Sequence, residues 1–321
     1  MTHTSAPHIL IIDALAAEGV RGLQERFGEA QVQYLPQLAP AEVPAALAEA
    51  HVLVLRNKLA VEERLLQAAP NLQLVMRAGA GTDHIDDAAL GRRGIALRTA
   101  RGENARTVGE HTLGMLLALL HKLPAANASV RRGEWEREAH RGRELGELTV
   151  GIIGFGHTGA AFGDTLRGFG CRVLAYDKYR CSYGIDHVKQ VGLAPVVQAA
   201  DVFSFHVPLT RHTRHYYNDA FRKQVGRPHW LLNLSRGEVV DLQAVRHGLE
   251  EGQLLGAALD VLPAEPPHKM PPAERETYEW LLQRPEVLFS PHVGGWSYAS
   301  ERRIALRCVA EIERWWKAKQ P

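Results

Sequence analysis

An α/β protein built from two parallel sheets, each covered by helices on both faces, is predicted by three observations. Short apolar runs rich in β-formers alternate with segments of helical apolar spacing. The series starts twice, near residue 8 and again near residue 149. The length of 321 residues suits two domains at roughly 150 residues each.

The elements follow in order. HILIID (8–13), QVQYL (31–35), HVLVLR (51–56) and LQLVMRAG (72–79) read as buried strands. Between them, LAAEGVRGLQERF (15–27) and VEERLLQAA (61–69) space their apolar residues for a helix, so successive strands are joined by crossovers and pair in parallel. The second series runs TVGIIGFG (149–156), CRVLAYD (171–177), DVFSFHV (201–207), WLLNLSRG (230–237), LLGAALDV (254–261) and EVLFSPH (286–292). Between the two series, NARTVGEHTLGMLLALLHKL (104–123) is apolar round most of its circumference, with Asn104 placed as N-cap and Pro124 closing it. Such a helix is buried; Gly109 and Gly114 would admit another backbone at a domain or subunit junction. Residues 263–285 hold six of the 17 prolines and read as a surface loop around a short helix at ERETYEWLLQ. YASERRIALRCVAEIERWWKA (298–318) is one more amphipathic helix.

Composition excludes several classes. With 38 Lys and Arg against 36 Asp and Glu, the formal charge of +2 supplies no broad basic field, so no nucleic-acid partner is expected. The longest apolar run, Leu113–Leu120, falls far short of the ~20 residues that span a bilayer, so no membrane partner is expected either. The N-terminal MTHTSAPHILIID has no basic region and its apolar run ends at Asp13, which reads as neither a signal nor a transit peptide. Cys171, Cys181 and Cys308 are odd in number and lack C-x-x-C spacing, against a disulfide framework or a thiolate zinc site, and a cytoplasmic location is expected. His212 and His215 have i, i+3 spacing but no third ligand, so no metal is expected.

Gly154, Gly156 and Gly159 form G-x-G-x-x-G directly after an apolar strand and directly before a helix. Asp177 stands 21 residues after Gly156, at the end of the next strand. That context is the dinucleotide fingerprint of a Rossmann fold: glycines let the backbone approach a pyrophosphate, the helix N-terminus meets its charge, and the carboxylate accepts ribose hydroxyls. A carboxylate there repels a 2′-phosphate, so the expected cofactor is NAD rather than NADP, a preference softened by Lys178.

NLSRGEVVD (233–241), GAALDVLPAEPP (256–267) and SPHVGG (290–295) closely resemble the signature stretches of the D-2-hydroxyacid dehydrogenases. The resemblance runs from about residue 51 to 305 and is strongest toward short phosphoglycerate dehydrogenases without a regulatory domain. It implies two Rossmann-like domains: a flavodoxin-like substrate-binding domain from residues 1–103 plus 293–321, and an NAD-binding domain from 104–292. It also implies a homodimer through the 104–123 helix region. Arg236, Glu265 and His292 match the family's catalytic set. The chemistry asks for these types. His suits transfer of the hydroxyl proton near neutral pH, a carboxylate behind it fixes the tautomer, and Arg offers a planar charged fork to a substrate carboxylate. Glu265 speaks against formate, whose dehydrogenases depart at that position. Beyond Gly154, Gly156, Gly159 and Asp177, the resemblance assigns cofactor contacts to His157, Thr158, His206, Val207, Pro208, Thr213, Asp260, Gly294 and Gly295.

For the substrate, RAGAGTDHID (77–86) matches the family's substrate loop, with the amides of Ala80 and Gly81 holding a carboxylate. Arg56, Arg77, Asn104 and Arg137 match the phosphate-reading positions of phosphoglycerate dehydrogenases, Arg137 from a partner subunit. The segment LRNK around Arg56 departs from that subfamily's usual R-S-x-T-K. The favoured substrate is therefore 3-phosphoglycerate, oxidised to 3-phosphohydroxypyruvate. The alternatives are reduction of glyoxylate or hydroxypyruvate, or a dinucleotide-sensing interaction protein without turnover. Trp296, next to Gly295, either walls the substrate pocket or packs in the linker.

Overall fold

The computed structural model describes residues 6–180 and 185–320; Cys181 and the leader reading at residues 1–5 lie outside them. Two compact units divide the chain. One runs through Asn104 and resumes at Trp296, the other is Ala105–Gly295, divisions one and three residues beyond those read from the sequence.

The first unit contains β1 (Ile9–Ile11), α1 (Ala17–Phe27), β2 (Val32–Tyr34), α2 (Val43–Ala46), β3 (Val52–Leu55), α3 (Glu63–Gln67), β4 (Leu74–Arg77), α4 (Asp87–Arg92) and β5 (Ala96–Thr99). Its strands pair in parallel in the order β2-β1-β3-β4-β5, the flavodoxin-like winding. Strand β5 was not foreseen. Its four residues, ALRT, are only partly buried, so they lack the apolar signal of an inner strand.

The second unit contains α5 (Ala105–Leu120), α6 (Leu123–Arg131), β6 (Thr149–Ile153), α7 (His157–Thr165), β7 (Arg172–Tyr176), β8 (Val188–Gln190), α8 (Leu193–Ala199), β9 (Val202–Phe205), α9 (Asp219–Val225), β10 (His229–Asn233), α10 (Leu242–Glu250), β11 (Leu254–Leu259), α11 (Pro272–Leu282) and β12 (Val287–Phe289). Its parallel order is β12-β11-β10-β9-β6-β7-β8, reversing direction between β6 and β9. The helix expected over 104–123 breaks early: α5 stops at Leu120, Lys122 turns through φ 51°, and α6 leaves at 59°. Pro124 sits in the first turn of α6. It opens that helix rather than closing the previous one, because a proline loses no hydrogen bond there. Gly109 is used inside the unit, since a Cβ there would meet the backbone of Ala161 in α7 at 2.9 Å, whereas a Cβ at Gly114 meets nothing. Helix α12 (Tyr298–Lys317) then returns to the first unit and packs on α1.

Side-chain alternation along each strand builds a core on both faces of each sheet. In the first unit Ile9, Val52, Val54 and Met76 face α1 and α12, while Leu10, Leu53, Leu55 and Val75 face α2, α3 and α4. In the second, Val150, Ile152 and Val173 face α5 and α7, while Ile153, Leu174 and Phe203 face the opposite layer. Among the described residues no single helix is long and apolar enough to cross a membrane.

Candidate active site

Strand β6 delivers the glycine turn to the point where the seven-stranded sheet reverses, the place where ligands meet such sheets. Gly154 has φ 91°, and a Cβ on it would meet the His206 carbonyl oxygen at 2.5 Å. A Cβ on Gly159 would stand 2.1 Å from the Gly154 oxygen. Protein packing therefore demands these two glycines. Gly156, the N-cap of α7, is exposed, and a Cβ there would meet no protein atom within 4 Å. Its lack of a side chain clears the approach to the helix N-terminus, where His157 and Thr158 form the first turn, so the turn fits a dinucleotide's pyrophosphate.

Asp177 follows β7 and is half-buried. Its Oδ2 accepts the Phe155 N–H at 2.7 Å, and its Oδ1 accepts those of Tyr179 and Arg180 at 2.9 and 3.0 Å. An ionised carboxylate has about four acceptor positions, so capacity for a ribose hydroxyl remains. The same carboxylate thus also pins the glycine turn, a role the motif did not announce. Arg180 adds a hydrogen bond from Nη1 to the Phe155 carbonyl, 2.8 Å. His206 lies inward: its Nε2 pairs with Ser204 Oγ at 2.8 Å, its ring packs on Phe162, and burial pushes it down to about 3, so the imidazole is neutral. Thr213 accepts the Thr210 N–H and donates to the Pro208 carbonyl, stapling the loop beyond Val207.

Arg236, Glu265 and His292 come from three loops at the carboxyl ends of β10, β11 and β12, and the second unit brings them together. His292 Nδ1 and Glu265 Oε2 are 2.6 Å apart, and Glu265 Oε1 accepts the Leu262 N–H at 3.2 Å. Burial raises the Glu265 carboxyl, but the His292 hydrogen bond and charge, the Leu262 amide and the Arg236 charge together hold it below the ordinary carboxylate range. Arg236 itself is half-buried, with Nη1 donating to the Ser235 carbonyl at 2.7 Å. Asn233 braces its loop, accepting from Ser235 N–H and Oγ and donating to the Arg236 carbonyl. Gly237 is required because a Cβ would stand 1.9 Å from the Leu262 carbonyl carbon. That close approach sets the Arg236 loop against the Glu265 loop.

His292 adopts φ 55°, a left-handed conformation that is costly for a residue with a Cβ and that recurs at functional sites. Asp260 holds it there. The Asp260 carbonyl accepts the His292 N–H at 2.7 Å, Oδ1 accepts Ser290 Oγ and Val293 N–H at 2.6 and 2.9 Å, and Oδ2 accepts Gly294 N–H at 2.8 Å. Asp260 is 2% exposed, so its side chain acts as a buried strut for the histidine turn. Sequence reading placed Asp260 among cofactor contacts and missed this role, because its partners lie some thirty residues away. His292 and Glu265 also line a cavity of about 430 Å³ whose other walls include Pro266, Tyr278 and Phe289.

The first unit holds Arg56, Arg77, Ala80, Gly81 and Asn104, whereas Arg137 belongs to the second, on an exposed turn. Arg77 ends β4 beside Leu55 of β3, and Ala80 and Gly81 follow in the next loop. Among the described residues neither of those two amides has an acceptor within the chain. They can serve an incoming carboxylate. Arg56 is not open in the way expected of a phosphate reader: its guanidinium is ion-paired with Glu301 and lies 4.6 Å from the Trp296 ring centroid. Nothing in the segment LRNK signals Glu301, which stands 245 residues further on.

A doubly wound sheet with a glycine turn at its reversal, a carboxylate at the end of the next strand and an Arg–Glu–His set defines a dinucleotide-dependent oxidoreductase. The family model described as the D-isomer specific 2-hydroxyacid dehydrogenase NAD binding domain matches residues 113–294. A hydroxypyruvate reductase of Thermotoga maritima is 31% identical over 271 residues, covering 84% of this chain and 86% of its own. A D-3-phosphoglycerate dehydrogenase of Methanocaldococcus jannaschii is 32% identical over 94% of this chain, which spans only 56% of that relative's length. Among solved structures, a D-lactate dehydrogenase from Aquifex aeolicus complexed with NAD and lactic acid superposes with a TM-score of 0.84 at 25% identity, covering 97% of this chain and 96% of its own. The chain belongs to the D-isomer specific 2-hydroxyacid dehydrogenases, enzymes that use NAD.

Proposed function

We propose that this protein interconverts a short D-2-hydroxy acid and its 2-oxo acid, with His292 as the general acid and base. The observation that carries the reading is the His292–Glu265 contact at 2.6 Å on a backbone held in a strained turn by Asp260. Bound NAD supplies or accepts the hydride. Gly154, Gly156 and Gly159 with the first turn of α7 hold its pyrophosphate, and Asp177 its ribose. His292 donates a proton to the nascent alkoxide during reduction and removes it during oxidation. Glu265 keeps the imidazole's other nitrogen engaged and stabilises imidazolium, and Arg236 polarises the substrate carbonyl. The amides of Ala80 and Gly81 receive the carboxylate.

Two substrate classes have support. Arg77, Asn104, Arg137 and the Methanocaldococcus relative favour 3-phosphoglycerate. The pairing of Arg56 favours an unphosphorylated acid, hydroxypyruvate or glyoxylate, and the Thermotoga relative favours hydroxypyruvate. NADH oxidation with 3-phosphohydroxypyruvate, hydroxypyruvate, glyoxylate and pyruvate tests the reading. Turnover of at least one supports it. Tight NADH binding with none reduced would replace it with a dinucleotide sensor. A homodimer through the 104–123 helix region is part of the proposal, supported by the exposed apolar side chains Leu123 at its end and Val130 and Trp135 in the segment that follows.

A further inference from the structure

The five-stranded sheet of the first unit reverses its winding between β1 and β3, and ligands of such sheets bind at the carboxyl ends of the strands beside that point. Arg56 stands there, immediately after β3, its backbone N–H donated to Asp13 Oδ2 at 2.6 Å just beyond β1. The neighbouring strand leads to the Ala80 and Gly81 amides. A charged guanidinium in this place would recruit a dianion. Here it is cancelled. Nη2 is ion-paired with Glu301, whose position is fixed because the Ser297–Ser300 capping box anchors the first turn of α12. The indole of Trp296, 62% exposed, lies against the guanidinium and covers it. The Arg56 side chain is only 9% exposed, and its Nη1 is buried without a partner among the described residues. What the site retains is a neutral pair whose Nη1 still carries two unpartnered N–H donors.

We propose that Glu301, acting through Arg56, sets the substrate class: it makes the carboxyl end of this sheet, beside the Ala80 and Gly81 amides, suited to an uncharged oxygen, such as a hydroxyl, and hostile to a phosphate. The inference rests on the dehydrogenase reading above and narrows it to unphosphorylated 2-oxo acids. A phosphate approaching Arg56 would meet the Glu301 carboxylate, a like charge, and would have to break the existing pair to bind. Glu301 is thus a positioning residue for specificity and touches none of the reacting atoms.

The test compares kcat/KM for hydroxypyruvate and 3-phosphohydroxypyruvate in the wild type, Glu301→Gln and Glu301→Asp. The wild type should prefer hydroxypyruvate by at least about tenfold. Glu301→Gln, which frees the guanidinium, should raise kcat/KM for the phosphorylated acid by about 10- to 100-fold, through KM, the scale of a charge-assisted hydrogen bond. Hydroxypyruvate should change less than about threefold. Glu301→Asp should keep the wild-type preference, since the charge remains. A merely structural role would lower both substrates together and would not separate Gln from Asp. A wild type that prefers the phosphorylated acid overturns the inference even if no variant folds, and so does a Gln variant whose preference is unchanged. If no 2-oxo acid is reduced by the wild type, the dehydrogenase reading itself fails and the inference falls with it.

Discussion

His292 occupies a left-handed turn that a glycine would adopt more cheaply, and the turn aims its ring at Glu265. Replacing the ring should therefore remove chemistry without removing the cofactor: His292→Ala should lower kcat by roughly 10² to 10⁴ while leaving the NADH dissociation constant nearly unchanged. Unaltered kcat would take it out of the mechanism. Glu265 is held below the usual carboxylate range, so it stays charged behind the imidazole down to unusually low pH. In Glu265→Gln the imidazolium loses this partner, so the pH–rate profile for reduction should move to the acid side. A profile that stays in place would separate the two residues. Asp177→Ala should weaken NADH more than NADPH, and it should also loosen the glycine turn through the lost Phe155 contact. A wild type that already prefers NADPH would refute the ribose assignment. Residues inside contiguous motifs were legible in the sequence, because glycine spacing and the segments around Arg236, Glu265 and His292 are local signals. Asp260 as strut and Glu301 as partner of Arg56 were not, since each acts through contacts that only the fold creates.

Loops at the carboxyl ends of strands meet through backbone contact at Gly237, where an added methyl would collide with the Leu262 carbonyl carbon. Backbone cannot yield as a flexible side chain does. Gly237→Ala should cost about 1–3 kcal/mol of stability and reduce kcat, as the Arg236 loop is pushed from Glu265. Calorimetry and turnover on one preparation check both, and a variant with wild-type stability and kcat would show that the loops move freely. Strands with continuous apolar runs could be read directly, while β5 and the three-residue β8 could not, because partly exposed edge residues need no apolar pattern. Periodicity carried the prediction past the true end of α5. Its apolar face continues toward Leu123, and only the left-handed Lys122 interrupts it.

Two units with separate cores make ligand effects local, so NADH should protect the Ala105–Gly295 unit specifically. At 100 times its dissociation constant NADH adds about 2.7 kcal/mol, or roughly 5 to 10 °C in that unit's transition. Differential scanning calorimetry reads the shift; an unmoved transition would contradict the glycine-turn site. At this scale the double start of the strand series foretold two sheets, whereas the return of the last helix to the first unit was expected from the family resemblance alone and from no local pattern. The central claim is that a hydride passes to the 2-oxo carbon while His292 delivers the proton. The most direct measurement uses NADH deuterated at the transferring position with pyruvate or hydroxypyruvate. The product should carry deuterium at C2 in the D configuration, and its rate of formation should collapse in His292→Ala. A product without deuterium at C2, or one formed equally fast by His292→Ala, would contradict the account.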